Sequence, residues 1–250
     1  MRAVILAAGA GTRLTGSGVV RPKCLAPFEG RTLLDLQIDA LRRRGIDDLT
    51  VVVGFEGDRI RRACPPGVRF VENPVFAATN SLYSLWLARA VLTDGFVVLN
   101  CDVLFHPVML DDLLTARHEN ALLVSYPDAA DAPYTDEEMK VSIRRGCVVA
   151  IGKDLEPADV DGENVGIVKF SPAGAEALVR IMDAIIASGS LRDWAPRAFG
   201  EFARRDALHA LGTRGLPWTE IDTPEDYERA ARDVFPAVRD SFTTLFRRGA

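Results

Sequence analysis

A glycine-rich turn near the N-terminus is the first segment whose residue types could do chemistry. Gly9 and Gly11 lie in the segment 6–14, LAAGAGTRL, directly after an apolar run. Glycines let the backbone approach a ligand closely, and the N–H groups of such a turn can surround phosphate oxygens. The guanidinium of Arg13 could hold a phosphate through two hydrogen bonds. The turn therefore favours a phosphorylated ligand.

Two common nucleotide-binding motifs do not match this turn. The dinucleotide fingerprint GxGxxG needs glycine or alanine where this chain has Leu14. The P-loop needs GK[ST] after four residues, and the sequence has no such tripeptide at that place. We therefore disfavour a dinucleotide-binding oxidoreductase and a P-loop NTPase.

Three charged residues outside the glycine-rich turn are further candidates for a ligand-binding site. Lys23 follows the glycine-rich turn in the segment RPKCL, and Asp102 follows an apolar run that ends at Asn100. Ligands of open α/β sheets lie at the carboxyl ends of the strands, so Asp102 is a candidate for such a site. Asp222 precedes Thr223 and Pro224, so it is also explained as a residue that starts a helix.

The first half of the chain alternates apolar runs with segments of helical period, which predicts the β-α-β rhythm of a doubly wound, mostly parallel sheet. We predict strands at 2–7, 49–53, 96–100 and 121–126. We predict helices at 32–44, 80–91 and 107–118.

The rhythm changes after residue 126. The pattern predicts a loop at 127–134, then short strands at 139–143, 147–151 and 165–170, the first two joined by a hairpin at Arg145-Gly146. Helices at 172–187 and 194–204, a strand at 207–211 and a last helix from Thr223 follow. We interpret 1–250 as one domain, with a nucleotide-binding half at 1–126 and an acceptor-binding half at 127–250 that includes a small inserted β-rich lobe.

Composition describes an ordinary folded protein. The 250 residues are 48% hydrophobic and 26% charged, and the net charge of −5 argues against nucleic acid as a partner. No run of about 18 apolar residues predicts a membrane span, and the N-terminal apolar run is too short for a signal peptide. The scattered cysteines predict reduced thiols and a cytoplasmic protein: Cys24, Cys64, Cys101 and Cys147.

The N-terminal segments AAGAGTRL, PKCL and TLL together resemble the signature of nucleotidyltransferases that join a nucleoside triphosphate to a phosphorylated small molecule. The resemblance implies the Rossmann-like fold of nucleotide-diphospho-sugar transferases, with Lys23 and Arg13 as catalytic residues. It implies that Asp102 and Asp222 hold Mg²⁺, which suits a metal that prefers a few carboxylates with phosphates and waters. The residues implied to bind the nucleotide in the turn are Leu6, Ala8, Gly9, Ala10, Gly11 and Thr12.

Several later segments resemble the cytidylyltransferase branch that includes bacterial phosphocholine and phosphonate cytidylyltransferases. They are NP at 73–74, TNSLYSL at 79–85, MKV at 139–141, IGKDL at 151–155 and GENVGI at 162–167. The resemblance implies that Asn80 and Ser84 line the base pocket and that Lys140 and Lys153 face the acceptor. The loop TGSG at 15–18 departs from the proline and threonine that family members often carry there.

The expected reaction joins CMP from CTP to a small phosphorylated or phosphonate alcohol or amine and releases pyrophosphate. Choline would need aromatic walls and an acid, for which Tyr83, Trp218 and Glu220 are candidates. A primary amine or a hydroxyl would need acids and hydrogen-bond donors, and the sequence leaves this choice open.

Two other functions compete with this one. A sugar-1-phosphate nucleotidyltransferase using UTP, dTTP or GTP is disfavoured by the TNSLYSL and MKV segments. A non-catalytic nucleotide-sensing protein would be expected to lack Lys23, Asp102 or Asp222, and all three are present. The apolar and basic tail at 241–250 favours a packed or fraying terminus, and it leaves a homo-oligomer open.

Overall fold

The structure is a computed structural model of the chain, and it describes residues 1–14, 22–127 and 134–243. Its strands are β1 (Arg2–Ala7), β2 (Pro27–Phe28), β3 (Arg31–Thr32), β4 (Leu49–Val53), β5 (Val68–Glu72), β6 (Phe96–Asn100), β7 (Val103–Phe105), β8 (Ala121–Ser125), β9 (Lys140–Arg144), β10 (Cys147–Gly152), β11 (Gly162–Phe170), β12 (His209–Gly212) and β13 (Trp218–Glu220). Its α-helices are α1 (Leu33–Arg42), α2 (Gly57–Ala63), α3 (Ser81–Leu87), α4 (Val108–Thr115), α5 (Pro172–Ala187), α6 (Ala195–Ala203), α7 (Pro224–Arg229) and α8 (Phe235–Thr243). A π-helical segment, Ala230–Val234, joins α7 to α8.

A nine-stranded sheet organises the molecule in the order β5-β4-β1-β6-β11-β8-β12-β10-β9. The strands β5, β4, β1 and β6 pair in parallel, and β12 pairs in parallel with β8. The strands β11 and β10 are antiparallel to the strands on either side of them. The predicted α/β class and the parallel N-terminal half are confirmed, and the strands predicted for a β-rich lobe, β9 and β10, lie at the edge of this same sheet.

Both faces of the sheet are buried, because apolar side chains of β1 alternate between two cores. Ala3 and Ile5 point to the core that contains residues of α1, α4 and α8. Val4 and Leu6 point to the core that contains residues of α3, α5 and α6. Such near-continuous apolar strands are typical of a sheet covered by helices on both sides.

Several predicted elements match the structure residue by residue. The strands predicted at 2–7, 49–53 and 96–100 and the helix predicted at 172–187 have the predicted bounds. The predicted hairpin is confirmed, since Arg145 and Gly146 both adopt positive φ, of 51° and 77°. Two such residues form the tight turn that matches the twist of antiparallel strands.

Five elements were not predicted from the sequence, namely β2, β3, β5, α2 and β7. The edge strand β5, Val68–Glu72, has charged residues at positions 69 and 72 and no fully buried residue, so it lacks the apolar run of a central strand. The helix α2 has seven residues and one buried side chain, Ile60, which is too little for a helical period to be visible. Long apolar segments are therefore easier to predict than short elements at the edge of the sheet.

Three predicted segments lie wholly or partly outside the described residues. They are the loop TGSG at 15–18, most of the loop predicted at 127–134, and the end of the tail at 244–250. Within the part of the chain that is described, no helix has the length and apolar character needed to span a bilayer.

Candidate active site

An open cavity of about 320 Å³ lies where β1 and β6 end and α3 begins. Most of the residues predicted from the sequence to form the site line it: Leu6, Ala8, Gly9, Gly11, Thr12, Arg13, Lys23, Asn80, Ser84, Asp102, Lys153, Glu220 and Asp222. The carboxyl ends of parallel strands meet there, which is the position expected for a ligand in an open α/β sheet. We call this space the main cavity.

Lys23 occupies the centre of the charged part of the main cavity. Its Nζ lies 3.2 Å from Oδ2 of Asp102 and also contacts Oδ1 of Asp222. Burial by itself would lower the pKa of Lys23, but Asp102 and Asp222 raise it to about 12. The lysine is therefore a permanent cation at neutral pH.

Gly11 has a positive φ of 56° and leaves room for the lysine side chain. A Cβ atom at this position would lie 2.9 Å from Cγ of Lys23. Because such a contact is shorter than carbon atoms tolerate, the chain needs glycine here for both conformation and space.

Short strands bring the two aspartates together. Asp102 lies between β6 and β7, and Asp222 follows β13, which pairs antiparallel with β7. The backbone N–H of Ile221 donates to the carbonyl of Asp102 at 2.9 Å. The pairing of β7 with β13 therefore joins residues that are about 120 positions apart in the sequence.

The two carboxylates of Asp102 and Asp222 are a ligand set that suits Mg²⁺, which is commonly bound by one or two carboxylates together with phosphates and water. Asp102 and Asp222 both contact one ammonium group, so the two carboxylates face the same point of the cavity. Among the described residues, no group of three or more His, Cys, Asp or Glu side chains is arranged to hold a metal ion. A Mg²⁺ ion would therefore take its remaining ligands from phosphate oxygens and water, which it commonly does.

Arg13 links Asp222, which also contacts Lys23, to a further acid, Glu137. Its Nη2 lies 2.8 Å from Oδ2 of Asp222, and its Nη1 contacts the carboxylate of Glu137. That carboxylate also lies 3.7 Å from Nζ of Lys153. Glu137 lines the main cavity and was missed in the sequence, because it is one of several acids in a loop without periodicity.

The base-binding residues predicted on α3 are held by a buried amide. Asn80 caps the helix, and its Oδ1 accepts a hydrogen bond from the N–H of Ser81 at 2.8 Å. The Asn73 side chain is 1% exposed and donates to the hydroxyls of Ser84 and Thr79, at 3.0 Å each. Asn73 thus orients the residues that precede and begin α3.

The N-terminus of α3 is also joined to the segment before α6. The N–H of Asn80 donates to the carbonyl of Leu191, and the N–H of Ala195 donates to Oγ of Ser81, at 3.1 and 2.8 Å. These bonds bring Trp194, whose side chain is 49% exposed, to the lining of the main cavity.

The two lysines predicted to face the acceptor have different surroundings. Lys153 lines the main cavity, and its Nζ lies 5.3 Å from the centre of the Trp194 ring. Lys140 is 3% exposed, does not line the cavity, and donates from Nζ to the carbonyl of Lys153 at 2.7 Å. Its contact is therefore with the backbone that carries Lys153.

A second cavity of about 490 Å³ adjoins the first and is rich in carboxylates. It shares Arg13, Glu137, Glu220 and Asp222 with the main cavity, and it adds Glu138 and Glu163 among others. Burial, then repulsion from Asp102 and Asp222, raises the pKa of Glu220 well above its usual range. Burial, then repulsion from Glu138, raises the pKa of Glu163 to about 7. The lining of the second cavity thus contains more carboxyl groups than cations, and burial and mutual repulsion make Glu163 and Glu220 hold their protons more tightly.

The two aromatic residues predicted to bind the acceptor, Tyr83 and Trp218, do not lie in the same cavity. Trp218 lines the second cavity. Tyr83 lines neither cavity, because it lies on another face of α3 than Asn80 and Ser84, and it packs on Trp86 with ring centres 5.4 Å apart. The expectation that Tyr83 contributes an acceptor wall does not fit this position. Ala10 is also outside both linings.

A thiol also lines the main cavity beside these charges. Cys101 has its pKa raised well above the usual value by a hydrogen bond with Cys24 and by burial. Since the thiolate is the nucleophilic form of cysteine, this group is held in its unreactive form. The chemistry available in the cavity is therefore electrostatic, with Lys23, Arg13 and Lys153 as cations.

Comparison with known proteins agrees with this geometry. Residues 3–217 match the family model of the MobA-like NTP transferase domain. The chain is 33% identical to the bifunctional IPC transferase and DIPP synthase of Rubrobacter xylanophilus, over 90% of this chain and 50% of that protein. It is 35% identical to the CMP-5'-(3-aminopropyl)phosphonate synthase of Streptomyces rubellomurinus, over 92% of this chain and 38% of that protein. The chain thus spans half or less of these two relatives.

A third relative has a similar length. The choline-phosphate cytidylyltransferase of Streptococcus pneumoniae is 26% identical, over 92% of this chain and 96% of that protein. A solved structure of CTP:phosphocholine cytidylyltransferase from the same organism superposes with a TM-score of 0.74 at 25% identity, covering 92% of this chain and 97% of that one. The predicted Rossmann-like fold of nucleotide-diphospho-sugar transferases is confirmed by this likeness. The chain belongs to the MobA-like NTP transferase domain family, and it is a nucleotidyltransferase.

Proposed function

We propose that the chain is a CTP-dependent cytidylyltransferase. It transfers CMP to a phosphate or phosphonate oxygen of a small alcohol or amine, of the phosphocholine, 2-aminoethylphosphonate or 2-hydroxyethylphosphonate type. The observation that carries the proposal is the contact of Lys23 with both Asp102 and Asp222 beside the glycine-rich turn. The choice of CTP is supported by relatives whose names specify CMP or cytidylyl transfer.

The reaction forms one P–O bond and breaks another. An acceptor oxygen attacks the α-phosphorus of CTP, and the bond from that phosphorus to the β-phosphate oxygen breaks, which releases pyrophosphate. The attacking oxygen is already ionised near neutral pH, so no general base is needed. Alignment and charge stabilisation account for the catalysis, as in other phosphoryl transfers.

Positive charge is the main requirement of this reaction, because both reactants are anions. Two unit charges about 4 Å apart repel by about 4 kcal/mol at an effective dielectric constant of about 20. Lys23 and Arg13 line the cavity as the cations that offset this repulsion. Asp102 and Asp222 would hold Mg²⁺, which when bound neutralises phosphate charge and orients phosphate oxygens.

The second cavity favours an acceptor with a positive group. Glu138, Glu163 and Glu220 line it together with Trp218. The ammonium group of phosphocholine or of an aminophosphonate would offset the repulsion that raises the pKa values of Glu163 and Glu220. A sugar phosphate whose sugar is uncharged brings no positive group. We also infer a cytoplasmic protein, since the four cysteines are free thiols.

The experiment is a matrix of pyrophosphate-release assays with Mg²⁺. CTP, UTP, dTTP, GTP and ATP are each combined with phosphocholine, phosphoethanolamine, 2-aminoethylphosphonate, 2-hydroxyethylphosphonate and glucose 1-phosphate. We expect turnover with CTP and an amino acceptor. Turnover with only the sugar phosphate would assign the chain to the sugar branch and overturn the proposal.

A further inference from the structure

The loop before β9 places one carboxylate between two cations that come from different halves of the chain. Glu137 contacts Nη1 of Arg13, which follows the glycines of the N-terminal turn. It also lies 3.7 Å from Nζ of Lys153, which follows β10. All three side chains line the main cavity. A carboxylate therefore occupies the space that both cations share.

The two cations have other contacts besides Glu137. Nη2 of Arg13 lies 2.8 Å from Oδ2 of Asp222. Lys153 lies beside the ring of Trp194, and its carbonyl accepts a hydrogen bond from the buried Lys140 at 2.7 Å. Each cation would therefore stay close to its present place if the carboxylate left.

Glu137 is the most exposed member of the group. The side chain is 67% exposed, against 48% for Arg13 and 27% for Lys153. Ion pairs at this level of exposure contribute little free energy because water and salt screen them. A phosphate group carries more negative charge than a carboxylate, and arginine and lysine bind it through charge-assisted hydrogen bonds. A phosphate in the cavity can therefore displace Glu137.

We propose that Arg13 and Lys153 form one phosphate-binding subsite, and that Glu137 is a placeholder carboxylate that occupies it until the phosphate of a substrate or product arrives. This inference rests on the proposed function for the source of the phosphate, which is either the nucleotide and its pyrophosphate or the acceptor. Glu137 carries a negative charge that does not favour the reaction, and its role here is to set the affinity of the site for the anionic ligand.

The test measures the dissociation constants of inorganic pyrophosphate, CTP and phosphocholine by calorimetry. The variants are Glu137→Gln, Lys153→Gln and the double variant, with Asp136→Asn as the matched control. Asp136 is a fully exposed acid next to Glu137, and it lies 3.9 Å from Lys140. Both acids lie in an exposed loop, so the folded state should tolerate either change.

We expect Glu137→Gln to tighten binding of the phosphate that enters the subsite by about 3- to 10-fold, because the ligand no longer displaces a carboxylate. Asp136→Asn should change the same constant by less than about twofold, since Asp136 is fully exposed and its charge is screened by water and salt. Lys153→Gln should weaken binding of the phosphate ligand. In the double variant, Glu137→Gln should tighten binding by a smaller factor than it does alone, because the subsite has lost one of its two cations.

Tighter pyrophosphate or CTP binding assigns the subsite to the nucleotide phosphates, and tighter phosphocholine binding alone assigns it to the acceptor phosphate. Unchanged or weaker binding of all three ligands to Glu137→Gln would overturn the inference, as would an equal gain in Asp136→Asn. If Glu137→Gln tightens pyrophosphate binding but no nucleotide supports turnover, the proposed function fails and the subsite remains.

Discussion

Lys23 is the residue whose loss should lower the rate most, because its ammonium lies within reach of both aspartates and faces the main cavity. We expect Lys23→Ala to lower the turnover number by about 10²- to 10³-fold, by analogy with the loss of one oxyanion-hole donor. Pyrophosphate release measures the rate, and circular dichroism checks that the fold is intact.

Lys169→Ala is the matched control, because Lys169 is also a buried lysine but donates to the carbonyl of Ala116 outside the main cavity. The control should keep most of the wild-type turnover. A Lys23→Ala enzyme with more than about half of the wild-type rate would contradict the role of Lys23 as a transition-state cation.

Glu163 should make stability depend on pH. Its pKa is about 7 in the folded protein, against 4.5 as the ordinary value, so the folded state binds more protons between these two pH values. The free energy of unfolding should therefore fall as pH rises from about 4.5 to about 7, by at most about 3 kcal/mol from this group.

Glu163→Gln should remove this part of the pH dependence, because glutamine does not titrate. Urea denaturation at several pH values measures the slope, and Glu176→Gln, an exposed acid on α5, is the control that should leave the slope unchanged. An identical slope in wild type and Glu163→Gln would show that the carboxyl titrates at its ordinary pKa in the folded protein.

At the scale of elements, the start of α3 depends on a side chain outside the helix. Asn73 donates to the hydroxyls of Ser84 and Thr79 and accepts from the N–H of Val75 at 3.1 Å. We expect Asn73→Ala to lower the free energy of unfolding by about 1–3 kcal/mol, because buried polar groups lose their partners.

The same variant should raise the KM for the nucleotide more than it lowers kcat, because Asn80 and Ser84 are displaced while Lys23 keeps its place. Thermal melting and steady-state kinetics with CTP measure the two effects. As a control, Thr115→Ala at the end of α4 removes a hydroxyl that bonds within its own helix, and it should leave the KM unchanged. A normal KM for Asn73→Ala would show that α3 keeps its position without the amide.

At the scale of the whole molecule, ligand and metal should stabilise the fold together. Residues of β1, β6, α3, β11 and β13 line the site, so a bound nucleotide opposes the unfolding of both halves of the chain. At a free concentration of 100 times its Kd, a ligand stabilises by about 2.7 kcal/mol, which for a protein of this size raises Tm by about 5–10 °C.

We expect CTP with Mg²⁺ to give this rise and CTP with EDTA to give a smaller one. Asp222→Asn should lose most of the difference between the two conditions, because one of the two predicted metal ligands is gone. Differential scanning calorimetry measures the effect. Equal Tm values with Mg²⁺ and with EDTA in the wild type would contradict a metal held by Asp102 and Asp222.

The parallel half of the sheet and the glycine-rich turn that lines the main cavity could both be predicted from the sequence. Continuous apolar runs such as β1 and β6 predict buried strands, and the glycine-rich turn with Arg13 and Lys23 is local in the sequence, so spacing alone reveals it. The role of Asp222 was expected only through a family resemblance, because a residue before Thr-Pro equally starts a helix.

Contacts between residues far apart in the chain could not be predicted from the sequence. The pairing of β7 with β13 brings Asp222 beside Asp102, and no local pattern predicts a pairing of two three-residue strands. Tyr83 packs on Trp86 on a face of α3 that is outside the site, and the buried Lys140 donates to the carbonyl of Lys153. Glu137, an acid in a loop, contacts two cations, Arg13 and Lys153. Burial and electrostatic contacts depend on the distances between residues that are far apart in the chain. The periodicity of apolar residues in the sequence reports only on residues that are close together in the chain.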